Sequence, residues 1–558
     1  MSSINESQSG GGDGPAPAGD PLAAAPRTDT GGAVEHHRIV ILGAGFSGMA
    51  AAIRLRQAGI EDFVMLERGA DVGGTWRDNT YPGCVCDIPS SLYSLSFAPN
   101  PDWSETFAGQ AEIWEYMRRT SREHGLERHL RLHHEVTGAV WDAHAGCWRI
   151  TARVRGGASA ELTAEIFVAA PGPLSEPRLP DIPGVQSFTG AMFHSARWDG
   201  DYELAGRRVG VIGTGASAIQ LIPKIQPSVS ELVVFQRTPP WVLPHPTRPV
   251  SARERRLYRR LPATQQLVRA YTYWSRETLL GAFHSRPLRA IPELVSRRHL
   301  RRQVADPALR EKLTPRYGLG CKRILLSDEY YPALQQPNVR VVTDAIHSID
   351  SRGVLTAPGP SQLAPDGGPR THELDAIILA TGFHVTDVPM AQWVRGADGR
   401  TLAEVWQGSP HAYLGSMVAG FPNLFMLYGP NTNLGHNSVI FMAESQVNLL
   451  LDCLRELDRR GAGTFEVLPS VERRYNESLQ RDLRGTVWNS GGCRSWYLDA
   501  NGRNSSIWPG STWTFHRRTR RFVPGEYVLR PRPSVRAGAA ATNGAPAGER
   551  LPAAGPTS

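Results

Sequence analysis

The chain has 558 residues, 41% hydrophobic and 20% charged, a mixture that excludes disorder as the whole answer and leaves room for more than one domain. Its 61 basic residues exceed the 53 acidic ones for a formal charge of +8, and only Lys224, Lys312 and Lys322 are lysine. A surplus of that sign fits nucleic acid, an acidic membrane or a phosphorylated cofactor.

Residues 1–35 and 534–558 are rich in Ala, Gly and Pro, and both are read as disordered tails around a folded region at about 36–533. The N-terminus lacks a basic start and an apolar core, so no signal peptide is expected. No uncharged apolar run of about 18 residues occurs, which argues against a membrane-spanning helix. The six cysteines include a C-x-C pair, Cys84 and Cys86, which matches neither a disulfide framework, a redox C-x-x-C nor a zinc pattern. Reduced thiols, a cytoplasmic location and neither nucleic-acid nor membrane partner are the expectation.

Residues 38–48, R-I-V-I-L-G-A-G-F-S-G, read as a strand entering a G-x-G-x-x-G turn at Gly43, Gly45 and Gly48. A helix over Met49–Ala58 and a strand at Phe63–Leu66 follow. Residues 208–218, R-V-G-V-I-G-T-G-A-S-A, repeat the pattern with Gly213 and Gly215, a helix at Ile219–Ile225 and a strand at Leu232–Phe235. This is one βαβ nucleotide-binding unit written twice. Residues 251–320 are arginine-rich with apolar residues at helical spacing, a helical insertion whose charges form a solvated face. The Pro/Gly-rich piece 352–370 reads as a loop in a hairpin connection, and 374–383 as a buried strand ending in a glycine turn. The predicted fold is α/β with two Rossmann-type dinucleotide-binding domains: 36–185 with 384–533, and 186–250 with 321–383.

Position 24 after the first glycine differs between the copies: Glu67 in one, Arg237 in the other. An acid there accepts hydrogen bonds from a ribose hydroxyl, whereas an arginine meets a 2′-phosphate. The first unit is therefore predicted to hold FAD and the second NADPH. The competing reading makes both residues ordinary solvated charges at strand ends.

The stretch F-T-G-A-M-F-H-S-A-R-W-D resembles the fingerprint of Baeyer–Villiger monooxygenases, a class B flavin-dependent family, at Phe188, Gly190, His194, Trp198 and Asp199. Three further segments resemble that family: 73–87, 321–331 and 495–504. The resemblance implies that Gly74, Thr75, Trp76, Tyr81 and Asp87 lie over the flavin, and that Ser217, Thr238 and Lys322 join Arg237 at NADPH. It also implies that Trp496 belongs to a C-terminal loop closing on the nicotinamide cofactor, and that His194 sits in a moving linker. Ala170-Pro171-Gly172 departs from the family's usual Ala-Thr-Gly or Ala-Ala-Gly.

The resemblance makes Arg323 the catalytic cation, a role that suits a guanidinium because it keeps its charge beside an oxygen anion formed on the reduced flavin, and it gives Asp87 as the orienting partner. The competing reading is a structural ion pair. If 322–323 were strand, Lys322 and Arg323 would face opposite sides. The expected reaction takes a small-molecule ketone and O2 to an ester or lactone; the alternative is oxidation of nitrogen or sulfur in soft nucleophiles. No metal is expected. The loop 429–438 and the insertion are expected to shape the ketone pocket.

Overall fold

A computed structural model describes residues 34–357 and 369–532. The predicted tails lie outside them, except that Val34 and Glu35 are described and Glu35 already opens the first strand.

The N-terminal unit is strand β1 (Glu35–Leu42), helix α1 (Phe46–Gln57) and strand β2 (Phe63–Leu66), with β1 and β2 parallel and Leu42 opposite Leu66. β2 is buried along its whole length, as a strand covered on both faces must be. Helix α1 begins at Phe46, three residues before its predicted start, because the glycine turn delivers the chain straight into helical geometry. Short α2 (Thr75–Asp78) and α3 (Gln110–Glu123) follow. Strands β3 (Leu130–Arg131), β4 (His134–Asp142), β5 (Cys147–Val154) and β6 (Ser159–Ala169) then extend the sheet. β6 runs parallel to β1 on the side away from β2. Two late strands, Val394–Arg395 and Leu424–Met426, return to β4 and β6 and complete eight strands.

The second sheet has five parallel strands. It contains β7 (Ala191–His194), β8 (Arg208–Ile212), β9 (Glu231–Phe235), Val339–Val342 and Ala376–Leu379. Helix α4 (Ala216–Ile225) connects β8 to β9. The hairpin connection read at 352–370 is present, since strand Gly353–Thr356 pairs antiparallel with Arg370–Glu373, but the strands extend into the piece expected to be loop. Residues 358–368, between the two strands, lie outside the described region.

Five helices follow β9: α5 (Ala252–Arg260), α6 (Pro262–Glu277), α7 (Leu280–His284), α8 (Arg286–Gln303) and α9 (Pro307–Lys312). Ser251 and Glu254 close a capping box at the start of α5. The long helix Val439–Arg460 lies against α1, where Ala50, Ala51 and Ala52 let the backbones approach.

Candidate active site

Both glycine turns sit where a strand hands over to a helix. Gly43 has φ +92°, and a Cβ there would stand 2.6 Å from the Ala170 carbonyl oxygen. On Gly48 it would overlap the Gly43 carbonyl at 1.9 Å. Gly213 repeats the demand with φ +118° and the Ala380 carbonyl at 2.3 Å. Gly215 has nothing within 4 Å on its Cβ side, and beyond Gly45 the nearest atom is the Gly74 Cα at 3.9 Å. These two open positions precede the first turns of α4 and α1, where free backbone N–H groups and the helix dipole favour a phosphate. The residues present therefore fit two dinucleotide phosphates.

Glu67 is buried at the end of β2. Its Oε2 accepts the Ala44 N–H at 2.9 Å, while Oε1 accepts the Gly69 N–H at 2.8 Å and the Arg77 guanidinium at 2.7 Å. A carboxylate has about four acceptor positions, so capacity remains for a ribose hydroxyl. Gly74, with φ +50°, and Thr75 open α2; the Trp76 indole N–H donates to the Tyr93 hydroxyl at 3.1 Å. Tyr81 leaves the first unit altogether: its hydroxyl donates to Gln220 of α4 at 2.8 Å and it packs among side chains of the second sheet, with Ser217 also in reach.

At the second turn Arg237 is exposed just past β9 and makes no ion pair among the described residues. Burial and the like charge of Arg237 both depress the Lys322 ammonium, whose Nζ stands 5.3 Å from the centre of the Tyr317 ring. Two cations held together with no acid between them make an anion site. The Thr238 carbonyl accepts the Thr214 hydroxyl at 3.2 Å and ties the strand end to the glycine turn. Residues 322–324 are not strand, contrary to the alternation expected for Lys322 and Arg323. The Cys321 N–H closes a turn onto the Gly318 carbonyl at 3.1 Å, and the chain leaves that turn unpaired, yet the two side chains still diverge.

Arg323 grips Asp87 through both carboxylate oxygens, Nε to Oδ2 at 2.5 Å and Nη2 to Oδ1 at 2.6 Å. This bidentate fork fixes the plane of the guanidinium. Burial works to raise the Asp87 carboxyl, but the charge and hydrogen bonds of Arg323 outweigh it and hold it below its ordinary range; Asp87 in turn raises Arg323. The two side chains keep 28% and 23% exposure, so the pair borders open space.

Sequence reasoning missed several neighbours of this pair. Arg276 of α6 feels the charges of Asp87 and Arg323 and makes no hydrogen bond or ion pair among the described residues. Tyr428, at φ +58°, and Tyr497 lie in the field of Arg323; the Tyr497 hydroxyl is buried without a hydrogen-bond partner. Next to Arg276, buried Glu277 accepts hydrogen bonds from Asn437 at 2.6 Å and the Thr512 hydroxyl at 2.7 Å, with His436 at 3.3 Å. The polar cluster in 429–438 was the one signal for this contact.

In the fingerprint stretch His194 is buried, and its Nδ1 accepts the Ala196 N–H at 3.1 Å. Burial drives its imidazole down to about 4, so it is neutral at pH 7. A Cβ on Gly190 would meet the Phe188 ring at 2.6 Å, Trp198 packs edge-on against Phe193, and Asp199 closes a turn on the Asp201 N–H.

One expectation fails outright. Cys321 and Cys493 form a disulfide with Cα atoms 6.2 Å apart, while Cys84, Cys86, Cys147 and Cys453 are free. The partners are 172 residues apart, and only the tertiary fold brings them together. The bond ties the segment of Lys322 and Arg323 to the loop carrying Trp496, whose half-exposed ring lies 4.4 Å from that of Tyr497.

Two glycine turns fit for phosphate, one beside an acid and one beside paired cations, together with a bidentate Asp–Arg pair, make a scaffold for two nucleotides. The model of a family described as flavin-binding monooxygenase-like matches residues 36–254. A Baeyer–Villiger monooxygenase of Streptomyces coelicolor is 51% identical, covering 90% of this chain and 94% of that one. Another from Pseudomonas aeruginosa is 45% identical over 90% and 93%. A closed cyclohexanone monooxygenase structure matches with TM-score 0.78 at 27% identity, covering 89% of this chain and 100% of that one. An oxidized steroid monooxygenase bound to NADP gives 0.76 at 28% over 89% and 99%. The chain belongs to the flavin-binding monooxygenases of Baeyer–Villiger type.

Proposed function

We propose that this protein is an FAD- and NADPH-dependent monooxygenase that inserts one oxygen atom of O2 beside a ketone carbonyl. Ketone, O2, NADPH and a proton become ester or lactone, NADP+ and water. The observation that carries the reading is the Asp87–Arg323 fork between two nucleotide cradles, in a chain half identical to a Baeyer–Villiger monooxygenase.

FAD would be held in the first cradle, its pyrophosphate at Gly43, Gly45 and Gly48 and its ribose at Glu67, with Gly74, Thr75, Trp76 and Asp87 around the flavin; Tyr81, expected there as well, is bonded to Gln220 of α4 and stands on the NADPH side instead. NADPH would be held in the second, at Gly213, Gly215 and Ser217, with Arg237, Thr238 and Lys322 to meet its 2′-phosphate. When bound and reduced, FAD supplies the activation of O2. Arg323 presents a fixed positive charge where negative charge develops on oxygen, and Asp87 holds that guanidinium in plane. Half-buried Tyr428 and buried Tyr497 limit water around the charge. Trp496 covers the nicotinamide, and the disulfide keeps its loop beside Arg323. His194, neutral and without an acid partner, positions the linker rather than moving a proton. Two nucleotide domains divided at 36–185 with 384–533 and 186–250 with 321–383, plus the helical insertion 251–320, complete the reading. A cytoplasmic location, where NADPH is regenerated, belongs to it as well, and no helix of the described residues is long and apolar enough to cross a membrane.

Oxidation of a sulfide or amine needs no such cation, which separates the two chemistries. Arg323→Ala should abolish ester formation from a ketone panel while sulfoxidation survives in flavin-loaded protein. Equal loss of both, or ester formation undiminished, contradicts the assignment of Arg323.

A further inference from the structure

Eleven of the seventeen exposed large hydrophobic residues among the described residues lie between Leu257 and Val295. They form stripes. On α6, Leu267, Tyr271 and Trp274 follow i, i+4, i+7 spacing, and on α8, Leu288, Ile291 and Leu294 share one side; all six are between 52% and 76% exposed. The inward faces of the same helices carry polar anchors beside apolar Tyr273 and Leu300. On α6 the Gln265 amide donates to the Asn100 carbonyl at 2.6 Å, and Glu277 holds Asn437 and Thr512. On α8 the Ser296 hydroxyl donates to the Val242 carbonyl at 2.7 Å, and His299 meets the Ser327 carbonyl at 2.9 Å. A surface helix of a water-soluble domain turns a polar face outward, and these two turn an apolar one. The stripes meet at α7, where Leu288 reaches within 3.0 Å of the Cβ position of Gly281.

Charge selects the occupant. Arg256 lies mid-way along α5 and Arg260 ends it, Arg286 opens α8, and Arg298, Arg301 and Arg302 lie in its C-terminal part; all six are exposed, and none has an ion pair among the described residues. A second copy packed on this face would bring two such arginine sets together across a two-fold axis. A bilayer with anionic lipid instead offers hydrocarbon to the stripe, phosphate to the arginines and a headgroup layer that suits Trp274 and Tyr271. We propose that the outward face of α6 to α8 is a docking surface for an anionic phospholipid bilayer, on which the protein lies without spanning it. The expectation of no membrane partner came from the lack of a spanning segment, and lying on a bilayer needs none.

Flotation of the purified full-length protein tests this with phosphatidylcholine vesicles containing about a third phosphatidylglycerol, against phosphatidylcholine alone. The protein should float with the mixed vesicles, with retention lost as ionic strength rises to about 0.5 M. Partitioning should fall about fivefold for each of Arg298, Arg301 and Arg302 changed to Gln. Tyr271→Ser with Trp274→Ser and Ile291→Ser should abolish flotation while bound flavin and lipid-free NADPH oxidation stay unchanged, which shows the variant to be folded. No flotation, or equal retention on neutral vesicles, would overturn the proposal. So would a dimer in light scattering that Trp274→Ser splits, since that assigns the face to a second copy.

Discussion

At the residue scale the site rests on a few placed charges rather than on the net +8. Burial and the like charge of Arg237 depress the Lys322 ammonium, and the 2′-phosphate proposed between them would relieve that repulsion. Arg237→Ala should raise KM for NADPH by roughly tenfold or more, the worth of one charge-assisted hydrogen bond, and leave KM for NADH unchanged. Steady-state kinetics with both cofactors checks it; an equal change in both would count against a 2′-phosphate contact. A second residue-scale prediction concerns buried Glu472, whose Oε2 accepts the Ala419 N–H at 2.9 Å and whose Oε1 has no hydrogen-bond partner. Burial pushes its carboxyl from near 4.5 up to about 7. The folded state then binds more protons than the unfolded one between those values, so this contribution to stability is present below about 4.5 and is lost as pH rises through about 7. Glu472→Gln, neutral at every pH, should therefore gain thermal stability relative to the parent on going from pH 5 to pH 8. A difference in thermal midpoint that does not change with pH would contradict this.

At the element scale the site is assembled from segments far apart in the chain. The disulfide bridges the turn before Lys322 to the loop before Trp496 across 172 residues. Cys493→Ser should destabilise by roughly 2–5 kcal/mol, seen as a lower thermal midpoint, and raise KM for NADPH as the Trp496 loop loosens. A midpoint matching the parent would show that the covalent link constrains nothing. Glu277 joins α6 to loop 429–438 and to helix Thr512–Thr519. Its removal in Glu277→Ala leaves Asn437 and Thr512 buried with donors unmet, a cost of about 2 kcal/mol or more. Chemical denaturation measures it. Elements such as β2, α1 and both glycine turns were legible in the sequence because their signal is local: a buried parallel strand is a continuous apolar run, and a cradle needs glycine within a few residues. The bond of Tyr81 to Gln220, the partners of Glu277 and the cysteine pairing were not legible. They depend on how segments more than a hundred residues apart come together, and no spacing rule reports that.

At the scale of the whole molecule an eight-stranded sheet and a five-stranded sheet each present a glycine cradle, and the segment 80–87 crosses from one to the other. The repeated turn with Glu67 in one copy and Arg237 in the other made the two-nucleotide plan readable without a structure. The pairing of Arg323 with Asp87 was readable from the family resemblance, whereas Arg276, which feels the charge of both, sits in an arginine-rich stretch where composition hides it. The central claim is that these parts transfer one atom of O2 to a ketone. Mass spectrometry of products formed from a ketone panel, NADPH and isotope-labelled dioxygen tests it most directly. The account predicts an ester or lactone carrying one labelled oxygen, absent when Arg323 is replaced by alanine in flavin-loaded protein. Hydrogen peroxide as the sole product across the panel, or an ester without the label, would contradict it.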